Sequence, residues 1–202
     1  GNNQVEVNGQ VLSAKSILIA VGGKSYMPDI DGKELCINSD EALDLEMLPK
    51  SIVINGGGYI ALEFAGIFSS FGSKVTLVYR GKNILRGFDS DISKFITEEL
   101  KNSKINIITE QEITSVSKVT NGLSTKLTSG EKIISNKVMF ATGRIPNTKN
   151  LGLEKIGIKL GSIGEIIVDN NNETNIKNIF AIGDVTNRIN LTPVAIAEGQ
   201  IF

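Results

Sequence analysis

Apolar and polar positions along the chain divide it into short strands and a few helices. Val5-Glu6-Val7 alternates and leads into Asn8-Gly9, a type I′ turn signal, so a hairpin is predicted first. Ser16-Ile-Leu-Ile-Ala-Val21 is almost continuously apolar and predicts a buried strand ending at Gly22-Gly23. A polar stretch from Lys24 to Leu48 follows, with a short helix expected near Ser39–Leu45 behind a Ser-x-x-Ala start. The clearest unit comes next. Ser51–Asn55 reads as a β-branched strand, Gly56-Gly57-Gly58 as a turn, and Tyr59–Phe71 as a helix. The helical spacing is carried by Ile60, Phe64, Ile67, Phe68 and Phe71, with Gly72 as C-terminal cap. Lys74–Tyr79 reads as the next strand, completing a βαβ unit. A second helix is expected over Asp91–Asn102 and a third strand over Ile105–Ile108.

The pattern then changes to strict alternation. Ile113–Ile134, broken at Asn121-Gly122 and Ser129-Gly130, predicts an antiparallel meander. Lys137–Thr142 reads as a buried strand, 145–167 as loosely patterned, and Ile179–Ile182 as a short strand before Gly183-Asp184. Pro193–Phe202 looks like the first turns of a helix. A weak repeat runs through these segments. Ile19-Ala-Val-Gly22, Phe140-Ala-Thr-Gly143 and Phe180-Ala-Ile-Gly183 each bring an apolar strand end directly to a glycine.

Composition narrows the possibilities. With 41% apolar residues and a net charge of −1 over 202 residues, the chain has the makeup of a globular protein rather than a disordered one. Twenty-one basic against 22 acidic residues leave no electrostatic footprint for nucleic acid or an anionic membrane. No apolar run is long enough to span a bilayer, and no secretory signal opens the sequence, so a cytoplasmic setting is expected. No histidine and one cysteine, Cys36, rule out an internal disulfide, a His/Cys zinc site or a Ser-His-Asp triad built from this chain alone. No metal is expected.

Candidate chemistry concentrates at the glycine turn. Gly56-Gly57-Gly58-Tyr59-Ile60-Ala61 fits G-x-G-x-x-[G/A] between a strand and a helix, the context in which that pattern binds a dinucleotide pyrophosphate. Its first glycine permits the turn, the second admits the pyrophosphate, and the small third position allows helix and strand to approach. A glycine-rich surface turn is the plainer alternative. At the end of the second strand, where an NAD site carries an acid, this chain has Tyr79-Arg80, with Arg86 following. Two guanidinium groups there can clamp a 2′-phosphate, which argues for NADPH; solvated loop charges are the alternative. Tyr59, Glu63, Arg144 and Asp184 stay undecided on spacing alone. Glu63 could be an acid complementing the helix dipole, and Asp184 an ordinary turn residue.

Taken together, these segments resemble the pyridine nucleotide-disulfide oxidoreductases. Gly56–Glu63 is similar to that family's G-x-G-Y-I-A-x-E nucleotide fingerprint. Ile17–Gly23 resembles the strand that closes its first FAD segment, and Phe140–Asn147 the crossing back to the FAD domain. Phe180–Asp184 and Leu191–Ala197 resemble its second FAD segment. Tyr79-Arg80 with Ile84-Leu-Arg-Gly-Phe-Asp89 looks most like the glutathione- and trypanothione-reducing branch. The resemblance implies that Tyr59 covers the flavin until nicotinamide displaces it, and that Glu63 lies by the nicotinamide. It assigns Gly56, Gly57, Gly58, Ile60, Arg80, Arg86, Gly143 and Arg144 to NADPH, and Gly22, Gly183, Asp184, Leu191 and Thr192 to FAD.

The family's redox-active C-x4-C and its His-Glu pair have no counterpart in these residues. The resemblance therefore implies an internal piece of a longer enzyme, which begins within a sheet and ends within a helix. Residues 1–48 would end the first FAD segment, 49–145 form the NADPH domain, and 146–202 begin the second FAD segment. The fold implied is α/β: a three-layer Rossmann-like NAD(P)-binding domain with an antiparallel meander, inserted in an incomplete FAD domain of similar fold. The activity implied is transfer of a hydride from NADPH to FAD and onward to a small-molecule disulfide, glutathione disulfide foremost, in a homodimeric enzyme of redox homeostasis. Competing expectations are an NAD(P)H oxidase, a flavoprotein like dihydrolipoamide dehydrogenase, and a non-catalytic NADP-binding module.

Overall fold

The computed structural model describes residues 3–202. They form two compact units, a central one spanning Ser25–Gly143 and a flanking one made of the segment up to Lys24 together with Arg144–Phe202. The central unit thus begins at Ser25, well before the boundary expected near residue 48. The reason is pairing: Asp31 bridges Ser115, Ile37 bridges Met139, and both bridges are parallel. Met27, Ile30, Leu35 and Cys36 also pack against the central core.

The flanking unit opens with β1 (Gln4–Val7) and β2 (Gln10–Ser13), antiparallel with Val7 opposite Gln10. Asn8 and Gly9 both have positive φ, 52° and 78°, as a type I′ turn requires. β3 (Ile17–Ile19) is shorter than expected, with Ile19 its one buried residue, and β4 (Gly23–Ser25) follows.

In the central unit, α1 (Ser39–Leu43) starts behind Asn38 rather than Ser39. Asn38 Oδ1 accepts from Asp40 N–H while Glu41 Oε2 accepts from Asn38 N–H, a reciprocal capping box. β5 (Ser51–Asn55), α2 (Tyr59–Ser70) and β6 (Lys74–Tyr79) realise the βαβ unit, and α3 (Ser90–Asn102) leads to β7 (Asn106–Thr109). The meander comprises β8 (Ile113–Val119), β9 (Gly122–Leu127) and β10 (Lys132–Ser135), and β11 (Lys137–Phe140) closes the unit.

The parallel sheet runs β11-β5-β6-β7, and the meander β10-β9-β8 forms a separate antiparallel sheet. Alternation along each parallel strand sends side chains to both faces. Ile52, Ile54, Val75, Leu77 and Met139 bury against Ala61, Leu62, Phe64, Ala65 and Phe68 of α2. Val53, Val78, Val138 and Phe140 bury against Ile113, Val116, Leu123 and Leu127 of the meander. Helices, parallel sheet and meander are therefore three layers, and a sheet covered on both faces explains the nearly unbroken apolar runs in its strands.

The chain re-enters the flanking unit at β12 (Arg144–Pro146), which lies beside β4. β13 (Ile179–Ala181) pairs in parallel with β3, and α4 (Thr192–Ile201) follows. The core here is Ile19, Leu153, Ile158, Ile166, Ile179, Ala181 and Val185, three of them from the loosely patterned stretch. The weak repeat has a backbone cause: Gly22, Gly143 and Gly183 have φ of 65°, 124° and 70°, a region open to glycine and strained for other residues.

Candidate functional site

The glycine turn sits at the C-terminal end of β5, where open parallel sheets bind their ligands. Gly56 has φ 151°, and a Cβ there would meet the Ala141 carbonyl oxygen at 2.4 Å and the Ala61 Cβ at 3.0 Å. Both demands of the first and third fingerprint positions are thus visible at one residue. Its N–H donates to Val78 O (2.9 Å), and Ala141 N–H donates to Asn55 O (2.8 Å), so the ends of β5, β6 and β11 are tied together beside the turn.

Gly57 stands at the unconstrained position of the fingerprint, yet the fold requires a glycine there as well. The space its side chain would need is filled by the Tyr79 ring, 2.5 Å from an ideal Cβ, so an aromatic of this chain itself requires the glycine. The open position is Gly58, where an ideal Cβ would have no neighbour within 4 Å and which stands as N-cap of α2. No side chain caps that helix and no acid lies in its first turn, which leaves its leading N–H groups and positive dipole end available to an anion. Glu63 consequently does not act as a first-turn acid; it lies just beyond that turn and is exposed. Tyr59 is 43% exposed, and Ile60 is half-buried.

The segments that carry the two arginines adjoin this turn by different routes. Arg80 leaves the end of β6 and is exposed, its Nη1 3.9 Å from Glu112 Oε1. Arg86 is carried by a tightly held loop. Leu85 N–H donates to Gly57 O (2.7 Å), and the Ser93 hydroxyl donates to Ile84 O (2.7 Å). Ile84 and Leu85 are buried, and Leu85 adopts φ 55°, a costly conformation for a branched residue. Below the loop, Asp89 caps α3 by accepting from the Asp91 and Ile92 N–H groups. Gly143, exposed with φ 124°, follows the end of β11 and accepts a hydrogen bond from Tyr26 N–H (2.9 Å).

The flanking unit gathers the remaining residues. Asp184 lies within the 3-10 turn Gly183–Thr186 directly after β13. Its Oδ2 is 3.8 Å from Arg144 Nε, and Arg144 also donates to the Gly23 carbonyl. Arg144, expected among the NADPH contacts, is thus engaged with an FAD candidate of its own unit. Gly22 is half-buried and accepts from Asn147 N–H (2.9 Å). Leu191 is the N-cap of α4 with no side-chain cap, and Thr192 and Pro193 begin the helix in the open.

Two groups have no signal in the sequence pattern. Glu198, on α4, accepts from Gly183 N–H through Oε2 (2.7 Å) and from Arg188 Nη2 through Oε1 (2.7 Å), and Arg188 also donates to Asn172 Oδ1. Glu112 beside Arg80 is the other. Each pair joins residues that are distant along the chain or that no motif links. A groove of about 280 Å³ lined by Ser51, Lys74, Asn106 and Glu131 lies at the opposite, N-terminal strand ends, away from every candidate residue. No helix among the described residues is long and apolar enough to cross a membrane.

Comparison with known proteins agrees with this geometry. Residues 1–199 match the family model described as pyridine nucleotide-disulphide oxidoreductase. The chloroplastic/mitochondrial glutathione reductase of Pisum sativum is 50% identical over 96% of this chain and 36% of its own length. The glutathione reductase of Burkholderia cepacia is 46% identical over 100% and 45%, and the trypanothione reductase of Trypanosoma congolense 44% over 93% and 39%. The HOCl-induced flavoprotein disulfide reductase RclA from Escherichia coli superposes with a TM-score of 0.94 at 30% identity, over 98% of this chain and 46% of that one. The chain spans less than half the length of each of these proteins. With its layered nucleotide-binding architecture and its fingerprint turn, the chain belongs to the pyridine nucleotide-disulphide oxidoreductase family.

Proposed function

We propose that this chain is the NADPH-binding and part of the FAD-binding portion of a flavoprotein disulfide reductase acting on glutathione disulfide. The observation that carries the reading is the Leu85 N–H bond to Gly57 O, which holds Arg86 beside the open fingerprint turn that Arg80 also flanks. The residues suit the nucleotide. An uncapped helix start and an open Gly58 accept a pyrophosphate, and two exposed guanidinium groups accept a 2′-phosphate in bidentate, charge-assisted bonds. The half-buried Asp184, with Arg144 as counter-ion, offers carboxylate oxygens to flavin-side hydroxyls. The uncapped start of α4 at Leu191 and Thr192 offers N–H groups to the ring system.

When bound, NADPH supplies a hydride and FAD the ring that accepts it. Tyr59, exposed at the first position of α2, and Glu63, one turn further along the same face, are the side chains of this unit suited to meet the nicotinamide end of the nucleotide. In this reading the complete enzyme reduces glutathione disulfide, as the names of the two glutathione reductases indicate for them.

The test is a calorimetric titration of the protein with NADPH and NADH, repeated on Arg80→Ala/Arg86→Ala. NADPH is expected to bind at least about tenfold more tightly than NADH, with the preference lost in the double variant. Equal binding of both nucleotides overturns the phosphate clamp and favours an NADH-linked oxidase or lipoamide-type relative. Consumption of NADPH on adding glutathione disulfide to the full-length protein then tests the substrate.

A further inference from the structure

The Arg80 guanidinium already has a partner within the protein: it faces Glu112 at 3.9 Å. Exposed ion pairs on two mobile side chains contribute little, so the contact alone would mean nothing. What gives it weight is the backbone beneath it. Gln111 N–H donates to the Tyr79 carbonyl and Glu110 N–H to the Gly81 carbonyl, both at 3.2 Å, so the residues on either side of Arg80 hold the segment before Glu112. From the other side, Thr128 N–H donates to Glu112 O (2.9 Å), and Glu112 N–H donates to Thr128 Oγ1 (3.3 Å). Gln111 Oε1 adds two more ties, accepting from Thr128 Oγ1 (2.7 Å) and Ser129 N–H (2.8 Å). The backbone that carries Glu112, 32 residues further along the chain, is therefore held beside that of Arg80.

We propose that Glu112 is a specificity-tuning residue, which engages Arg80 before a nucleotide arrives and lowers the protein's preference for a 2′-phosphorylated one. The inference rests on the NADPH reading given above. An arriving phosphate carries nearly two negative charges and needs the guanidinium that Glu112 holds. A phosphate on Arg80 competes with the existing pair, and it adds negative charge on the guanidinium that Glu112 already faces, inside the screening length at physiological salt. Both effects oppose NADPH and leave NADH almost untouched, because NADH carries no charge at this position. Arg86 has no ion-pair partner among the described residues, so the two clamp arginines are unequal, one held and one free.

The test is a double-mutant cycle read by titration with NADPH and NADH at low ionic strength, on wild type, Glu112→Gln, Arg80→Ala and the pair. Glu112→Gln keeps the side chain's size and hydrogen-bonding reach, and circular dichroism confirms folding of each variant. NADPH is expected to bind about two- to fivefold more tightly to Glu112→Gln, with NADH changed by less than that and the gain clearly smaller in the Arg80→Ala background. Unchanged NADPH affinity in Glu112→Gln, while wild type keeps a preference that Arg80→Ala removes, overturns the inference and leaves the clamp intact. A gain of equal size with and without Arg80 also overturns it, since Glu112 would then act by repulsion alone. Wild type without any NADPH preference removes the clamp reading, and this inference with it.

Discussion

Two glycine turns of the molecule begin alike and end differently. In each, a short apolar strand runs into a glycine with positive φ, Gly56 after β5 and Gly183 after β13. Beyond Gly56 the helix start is uncapped, Gly58 is open, and no acid stands in the first turn. Both glycine N–H groups are taken within the protein, that of Gly56 by the Val78 carbonyl and that of Gly183 by the Glu198 carboxylate, but beyond Gly183 Asp184 already faces Arg144. One turn is followed by an uncapped helix start with an open glycine; the other is tied to a carboxylate from α4 and presents a second carboxylate. A glycine after a strand therefore sets only the backbone path. What the site can bind is decided by whether the protein itself uses up the polar groups that the turn exposes.

Substitution at Gly56 should break the first turn with the largest effect. Alanine there would combine positive-φ strain with a Cβ only 2.4 Å from the Ala141 carbonyl oxygen, part of a backbone that three strands hold in place. A loss of about 2–4 kcal/mol is expected in urea unfolding. Gly58→Ala separates binding from stability. Its φ of −88° suits any residue and the space is empty, so only the N-cap preference is lost, about 1 kcal/mol or less. NADPH affinity should nevertheless fall by about tenfold or more, because the methyl group fills the approach to the helix N-terminus. Unchanged affinity in a folded Gly58→Ala would show that the pyrophosphate does not use this turn.

The second turn is broken from α4. Glu198→Ala leaves the buried Gly183 N–H without an acceptor and Arg188 with Asn172 alone, from a carboxylate whose side chain is only 16% exposed. The expected cost is about 1.5–3 kcal/mol, the range for an unmade hydrogen bond to a charged group. Glu198→Gln retains an acceptor for Gly183 and should recover roughly half of that. If both variants lose equally in thermal or urea melts, the Arg188 pair and not the Gly183 bond is what holds the turn.

The elements legible along the chain are those whose own segment carries the signal. The apolar pattern places β5 and β6 to the residue, because a parallel strand covered on both faces is apolar throughout and glycines bound it. The fingerprint and the two arginines are visible for the same reason. Contacts between distant segments are not. Asn38 rather than Ser39 starts α1 because Glu41 folds back on it, and residues 25–48 join the central unit through bridges from Asp31 to Ser115 and from Ile37 to Met139. Tyr79 reads as a strand end, yet its ring explains Gly57, and Glu112 and Glu198 belong to no motif. Local periodicity reports which face is buried; it does not report which distant polar group meets which.

Cys36 gives the smallest effect and extends the comparison to a third polar group that the protein has used internally. The thiol donates to the Gly32 carbonyl (3.6 Å), and its side chain packs against the core between sheet and meander. Burial, with a smaller contribution from the nearby Glu34 charge, pushes its pKa up from 9.0 to about 11. The unfolded chain therefore loses this proton first. Cys36 contributes no pH dependence well below pH 9, and stability falls as pH rises from about 9 towards 11. Because the thiol is only half-buried, the part due to Cys36 at about pH 10 should stay under about 1 kcal/mol. Urea midpoints of wild type and Cys36→Ala at about pH 8 and about pH 10 isolate it, since every other titrating group is common to both proteins. Wild type should lose more than the variant between the two pH values. Equal losses would mean that the thiol ionises as readily folded as unfolded, as an exposed thiol does and a core thiol does not.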